Sequence, residues 1–425
     1  MKNFSFLACS VLIVIFNIAA SAQTADHPAD WVEQSISADR SVAQKAQGQL
    51  RQIGPQGLEL LEQRFAREIF AHGHGIDVPG DERWKRIAAA LDRVSGQYDD
   101  YASGLYWYTD FEKAKAAART SGRPILSLRL LGRLDEDLSC ANSRFFRTTL
   151  YPSAEINQLL KNGFILHWES VRPAPRVTID FGDGRTLQRT ITGNSIHYIL
   201  DSDGKIVDAL PGLYSAKVFA EELRQAANVA QEARTKGTPD YTDHFKVTGI
   251  RLVKAWMTDL AAFHAAPPAN TAITDDAGTG ESILERTMDE DKWERVARLH
   301  WNEVAFDQNV RKVMERKFPD ARVAAPVAVS KMAVETPMMR AVLNLTQTVA
   351  LDTVQNNYMR RTKILAYLAI PSTKELSLRQ INDQIYAWIF LTPRQDPWLG
   401  MAPPDVFAAI DGNGEKQLGT LSATR

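Results

Sequence analysis

Apolar residues recur three and four positions apart through the first part of the chain. Ala43, Ala46, Leu50 and Ile53 form one stripe, Gly54-Pro55 interrupts it, and Leu58, Leu61, Phe65 and Ile69 form a second. Such spacing lines one face of a helix. Trp31 to about Gln97 is therefore read as a helical lead-in, with His72-Gly73-His74-Gly75 as a polar loop and another helix near Arg83 to Val94. The period changes after Tyr106. Thr109-Asp110-Phe111-Glu112 reads as a capping box opening an alanine-rich helix that ends at Gly122. Ile125 to Leu131 is a mostly apolar strand and Phe164 to Val171 a second. Helical sequence from about Ala141 to Leu150 and Ser153 to Asn162 lies between them. Two strands joined by a helical crossover of this length should be parallel.

Alternation then takes over. Val177, Ile179 and Phe181 lead into Gly182-Asp183-Gly184, and Arg185 to Ile191 returns, which predicts a hairpin. A second hairpin is expected from His197 to Leu200, the turn Asp201-Ser202-Asp203-Gly204 and Lys205 to Leu210, followed by a helix from about Ser215 to Glu232. The order βαβ, inserted hairpin, ββα is that of a thioredoxin-like core. The expected organisation is an α/β thioredoxin-like central domain over 106–234, flanked by a helical N-terminal domain (27–105) and a mainly helical C-terminal domain (245–425). In the last of these a Pro, Gly and Thr-rich loop covers 267–280, a long helical pattern covers about 338–369, and Trp293, Trp301, Trp388 and Trp398 are expected to pack the core.

Met1 to Ala22 reads as a secretory signal, with Lys2, an apolar run from Leu7 to Ile18, and Ala20-Ser21-Ala22 before the expected cleavage. The run is shorter than the roughly 20 residues a bilayer span needs. The protein is thus expected to be exported, periplasmic or extracellular, with no stable membrane span after cleavage. Fifty basic residues against 51 acidic ones, and no basic stretch interleaved with aromatics, disfavour nucleic acid as a partner. The residues suggest no cofactor and no metal: His72 and His74 lack a third ligand nearby, and the Asp201–Gly204 turn lacks the later bidentate glutamate of a calcium loop.

Cysteine changes the picture most. Cys9 lies in the segment expected to be removed, which leaves Cys140 as the one thiol. It falls where a strand hands over to a helix. Free amides and the helix dipole there favour thiolate, and Arg144 and Arg147 would add to this, while Asp135, Glu136 and Asp137 would oppose it. Ser139 and Ser143 are placed to hydrogen-bond the sulfur, so Cys140, Ser139 and Ser143 form the candidate site. His167 and His197, on predicted strands, rank below it.

Arg123-Pro124, Ser127, Gly132-x-Leu134-Asp135, Cys140, Arg144, Arg147, Thr149, Ile156, Leu159-Leu160, Phe164-Ile165 and Trp168 resemble the redox segment of selenoprotein N, over about residues 123–171. The resemblance implies that Cys140 takes the selenocysteine position and Ser139 that of its cysteine partner. Against thioredoxins more broadly, Cys140-Ala141-Asn142-Ser143 stands in for Cys-x-x-Cys, and Gly193-Asn194-Ser195-Ile196 occupies the turn where a cis-proline is usual. A single thiol can form a mixed disulfide but cannot release it internally. The sequence thus supports a monothiol oxidoreductase acting through mixed disulfide or sulfenic acid chemistry with a protein or small-thiol partner, or forming a disulfide-linked homodimer. The alternative is a non-catalytic binding or assembly protein whose Cys140 is structural.

Overall fold

A computed structural model describes residues 27–77, 80–190, 193–237, 239–262, 290–317 and 345–393. The expected signal segment, the 267–280 loop, Trp398 and the start of the 338–369 pattern lie outside these residues.

The N-terminal unit is five helices: α1 (Pro28–Gln34), α2 (Arg40–Gln52), α3 (Pro55–Arg64), α4 (Ala66–Gly73) and α5 (Glu82–Ser95). The two expected stripes become its core, in which Leu50, Leu61, Phe65, Ile87 and Leu91 are fully buried. His72 belongs to the last turn of α4 rather than to a loop. Its ring stacks on Trp84 at 3.9 Å and its Nδ1 lies 2.6 Å from Asp77, so packing against α5 extends the helix through it.

Residues 107–211 build a five-stranded mixed sheet of order β1-β3-β2-β6-β7 and a separate hairpin. The strands are β1 (Trp107–Tyr108), β2 (Ile125–Leu131), β3 (Ile165–Arg172), β4 (Arg176–Asp180), β5 (Thr186–Thr190), β6 (Ser195–Leu200) and β7 (Ile206–Pro211). β1, β3 and β2 run parallel, as the crossover predicts, while β6 is antiparallel to β2 and β7 antiparallel to β6. β4 and β5 pair with each other, with the turn where the alternation placed it. Every residue of β2, β6 and β7 is buried, as expected of strands covered on both faces.

Helix α6 (Phe111–Ser121) starts one residue later than a capping box on Thr109 would give. Asp110 is the cap, its side chain accepting from the Lys113 amide. A carboxylate serves this role as well as a hydroxyl does, and Thr109 is left within 3.3 Å of Arg51. The crossover between β2 and β3 is α7 (Ala141–Phe145), a π-helical turn (Phe146–Leu150) and α8 (Ala154–Gly163); α9 (Ala216–Lys236) follows β7.

The C-terminal part is helical: α10 (Thr242–Ala262), α11 (Glu290–Leu299), α12 (Gln308–Lys317), α13 (Leu345–Gln355), a π-helical segment (Asn356–Arg361), α14 (Thr362–Leu368) and α15 (Leu378–Trp388). Its core is continuous with that of the sheet, from Leu105 through Tyr386. Trp293 packs against Trp256 with the rings tilted, and Trp301 packs at the core margin. Trp388 is the exception to the expectation. It is 64% exposed because the core face of α15 closes with Ile385 and Tyr386, leaving its ring edge-on to Tyr367 at the helix end.

His300 pins three of these elements. Its Nε2 lies 2.9 Å from Asp259 on α10 and its Nδ1 3.1 Å from Glu303, while the Tyr358 hydroxyl donates to Asp259 at 2.6 Å. The hydrogen bonds to Asp259 and Glu303 raise the imidazole to about 9. The folded protein thus holds this proton more tightly than the unfolded chain does. The stabilisation is complete below about pH 6.5 and is lost as pH rises through about 9. Thermal melts of wild type and His300→Gln should therefore differ most at about pH 6.5 and converge as pH rises past about 9. A difference that stays constant would contradict this role.

Candidate functional site

The chain reaches the site through a tight turn. β2 ends at Leu131, and Gly132, with φ of 75°, redirects the backbone while its amide donates to the Arg172 carbonyl at 2.7 Å. A Cβ here would stand 3.2 Å from Ala174 and 3.3 Å from the Ser139 Cα, so the close pass of the loop also favours glycine. The loop returns until the Cys140 amide donates to the Leu131 carbonyl at 3.3 Å. Cys140 is the N-cap of α7, in extended conformation, as its place between strand and helix predicted.

Ser139, Cys140 and Ser143 are brought together, and all three have no exposed surface. The serines serve the backbone and each other. The Ser143 hydroxyl lies 3.0 Å from the Cys140 carbonyl and within reach of Ser139 Oγ. The Ser139 carbonyl accepts from the Arg144 guanidinium at 2.7 Å and from the Thr190 hydroxyl at 3.0 Å, and Arg144 also reaches Thr190 Oγ1. Thr190, the last residue of β5, thereby fastens the inserted hairpin over the site.

Two more elements close the other sides. Asn142 donates to Ser195 Oγ at 2.9 Å, and Gly193 passes so near that a Cβ would sit 2.5 Å from the Asn142 side-chain oxygen. From α15 the Tyr386 hydroxyl donates toward the carbonyls of Arg129, at 3.3 Å, and Asn194, at 3.2 Å. Just beyond, Thr392 accepts from the Asn194 side chain at 3.1 Å. The turn at Gly193-Asn194-Ser195, where the sequence lacks a proline, is thus held by residues roughly two hundred positions away. No peptide bond among the described residues is cis.

These surroundings decide the state of the sulfur. Burial raises the Cys140 thiol above its ordinary value; the amides of Ser143 and Asn142, the Ser143 hydroxyl and the Arg144 charge pull the other way without overcoming it. Arg147, expected to help, is turned away. Its Nη2 is 3.2 Å from both the Asp137 carbonyl and Ser139 Oγ, and its Nη1 is 3.4 Å from Asp99. Asp135, expected to oppose thiolate, is engaged by Arg133 at 2.6 and 2.8 Å.

The strand histidines have other partners. His167 Nδ1 is 2.9 Å from Ser127 Oγ and His197 Nε2 is 2.8 Å from the Tyr151 hydroxyl. Burial lowers both to about 3, so both are neutral at ordinary pH. Asp201 caps its own turn, accepting from the Asp203 and Lys205 amides, and takes the Tyr241 hydroxyl on its other oxygen at 3.0 Å.

A buried charge network escaped the sequence reading. Arg361 donates to Asp208 at 2.8 Å and lies 2.9 Å from Glu222, with Asp208 also 2.8 Å from His244 and Glu222 paired to Arg251 at 2.7 Å. It ties β7 and α9 to the π-helical segment. Its contacting pairs are 29 to 153 residues apart, beyond any local pattern.

No family model, no curated protein and no solved structure matches this chain.

Proposed function

We propose that this is an exported protein of thioredoxin-like fold in which the fold serves binding or assembly and Cys140 packs instead of reacting. The observation that carries this reading is the sulfur itself, which has no exposed surface and a thiol pushed up by burial. A thiolate nucleophile needs an electropositive and at least partly exposed setting. The fold part of the proposal is supported by the βαβ and ββα halves sharing one mixed sheet, with the cysteine at the start of the first crossover helix. The signal-like start supports export. Serines at 139 and 143 leave no second thiol to resolve a mixed disulfide.

One observation favours the oxidoreductase reading instead. Cys140 caps a helix, so movement of its cover would present the sulfur beside free amides. Incubation of the native protein with glutathione disulfide and measurement of the intact mass separates the two. The binding-protein reading expects no adduct beyond that of Cys140→Ser. A stoichiometric mixed disulfide, absent from Cys140→Ser, would establish the monothiol chemistry.

A further inference from the structure

The N-terminal helical unit and the sheet meet along two adjoining clefts lined by arginines, four of which have no carboxylate within ion-pair distance. The first encloses about 530 Å³ between α2 and α5 and is lined by Arg40, Arg86 and Arg93 with Gln44 and Tyr98. The second encloses about 640 Å³ beside β3 and is lined by Arg51, Arg93 and Arg133 with Thr109 and Trp168. Arg93 and Asp135 belong to both, so the clefts are continuous.

Arg133 is paired with Asp135, as Arg185 on the hairpin is with Asp183. Among the described residues, Arg40, Arg51, Arg86 and Arg93 have no carboxylate within ion-pair distance. The Arg86 Nε is buried without a hydrogen-bond partner. Arg51 is fixed in place, donating to the carbonyls of Val94 at 2.7 Å and Trp107 at 2.9 Å. Burial first, and the nearby Arg93 charge as well, disfavour its charged form, although Tyr106 and Asp135 favour it.

The acids of the clefts do not cancel this charge. Asp135 is held by two hydrogen bonds from Arg133, and Glu169 is paired with Arg129. Asp92 accepts the Asp100 amide at 2.9 Å, and burial raises it to about 7. Leaving several cations together, one of them with an unmet buried donor, costs free energy unless something supplies acceptors. A guanidinium fork is matched bidentately by phosphate or carboxylate oxygens.

We infer that these clefts bind a small molecule carrying two or more oxyanion groups, with Arg86 and Arg93 as the central contacts and Arg40 and Arg51 flanking them. This rests on the binding-protein reading and names its ligand class. The concave walls suit a small polyanion.

Calorimetric titration of the whole protein with inorganic pyrophosphate and, separately, citrate tests it. Saturable one-to-one binding of at least one probe is expected, weakening as salt is raised. Arg86→Ala and Arg93→Ala should each lose roughly tenfold or more in affinity, and Arg86→Lys less. Arg185→Ala, on the exposed hairpin, should change nothing. Arg40→Ala, at an exposed position, gives a variant that keeps the fold if the others melt early, with a smaller loss expected. Preference for pyrophosphate would assign a phosphoryl ligand and preference for citrate a carboxylate one. Absence of saturable binding, or equal losses in Arg185→Ala, would overturn the inference. Binding retained by Cys140→Ser while wild-type Cys140 forms mixed disulfides would refute the functional reading and leave this inference standing.

Discussion

Replacing Arg361 with Met is expected to cost about 3–5 kcal/mol of stability, because it strands two buried carboxylates. Arg361 has no exposed surface, and Asp208 and Glu222 are almost equally enclosed. Burial alone would raise Asp208, yet the Arg361 charge and the hydrogen bonds from His244 and Arg361 bring it down to about 2. In the wild type Asp208 is more acidic folded than unfolded. Its stabilisation is present above the ordinary carboxylate range and fades as pH falls toward about 2. Without Arg361 the balance reverses, since a buried carboxylate lacking its guanidinium is better off protonated. Denaturant melts should therefore show acidification weakening the wild type and partly rescuing Arg361→Met. A loss below about 1 kcal/mol, or the same pH trend in both, would contradict the role given to this network.

Tyr386→Ala should have the next largest effect, about 3–5 kcal/mol, and should also open the Cys140 end of the sheet. The Tyr386 ring is 1% exposed, packs against Phe390 with centroids 5.0 Å apart, and its hydroxyl bridges the β2 carbonyl of Arg129 to the turn at Asn194. Its neighbour on α15, Asn382, accepts from Tyr198 of β6 at 3.1 Å. α15 thus covers the sheet face shared by Arg129 and Tyr198, where the described residues between β3 and β6 supply a hairpin. Removing the ring leaves a cavity and unties the turn. Tyr386→Phe keeps the ring and should cost nearer 1 kcal/mol. Cys140 should become reactive toward a maleimide in Tyr386→Ala under conditions where wild type is silent. An unchanged thiol in a variant of unchanged stability would show that α15 is not the cover.

These two variants mark the boundary of what the sequence reveals. The strands and both hairpins were legible because alternation and Gly-Asp turns are local signals, and the helical stripes around Leu50 and Leu61 were legible for the same reason. The two-residue strand β1 carries too little pattern to be read. Cys140 could be placed at a helix start from its neighbours alone. Its burial could not, because the groups that enclose it, Thr190, Asn194 and Tyr386, lie about fifty to two hundred and fifty residues away. The expected charge balance at the sulfur failed for a related reason. Arg147 and Asp135 are near in sequence, but Asp99 and Arg133 engage them first. The arginine clefts had no local signature either, since Arg51 and Arg133 meet only when the N-terminal helices dock on β3.

The central claim, that Cys140 is a packed thiol, is tested most directly by its alkylation rate in the native protein as a function of pH and denaturant. Labelling should follow global unfolding, with a thiol pKa above the ordinary cysteine value of about 8.5. Rapid labelling of the folded protein, with a midpoint below that value, would contradict the claim and return the site to redox chemistry.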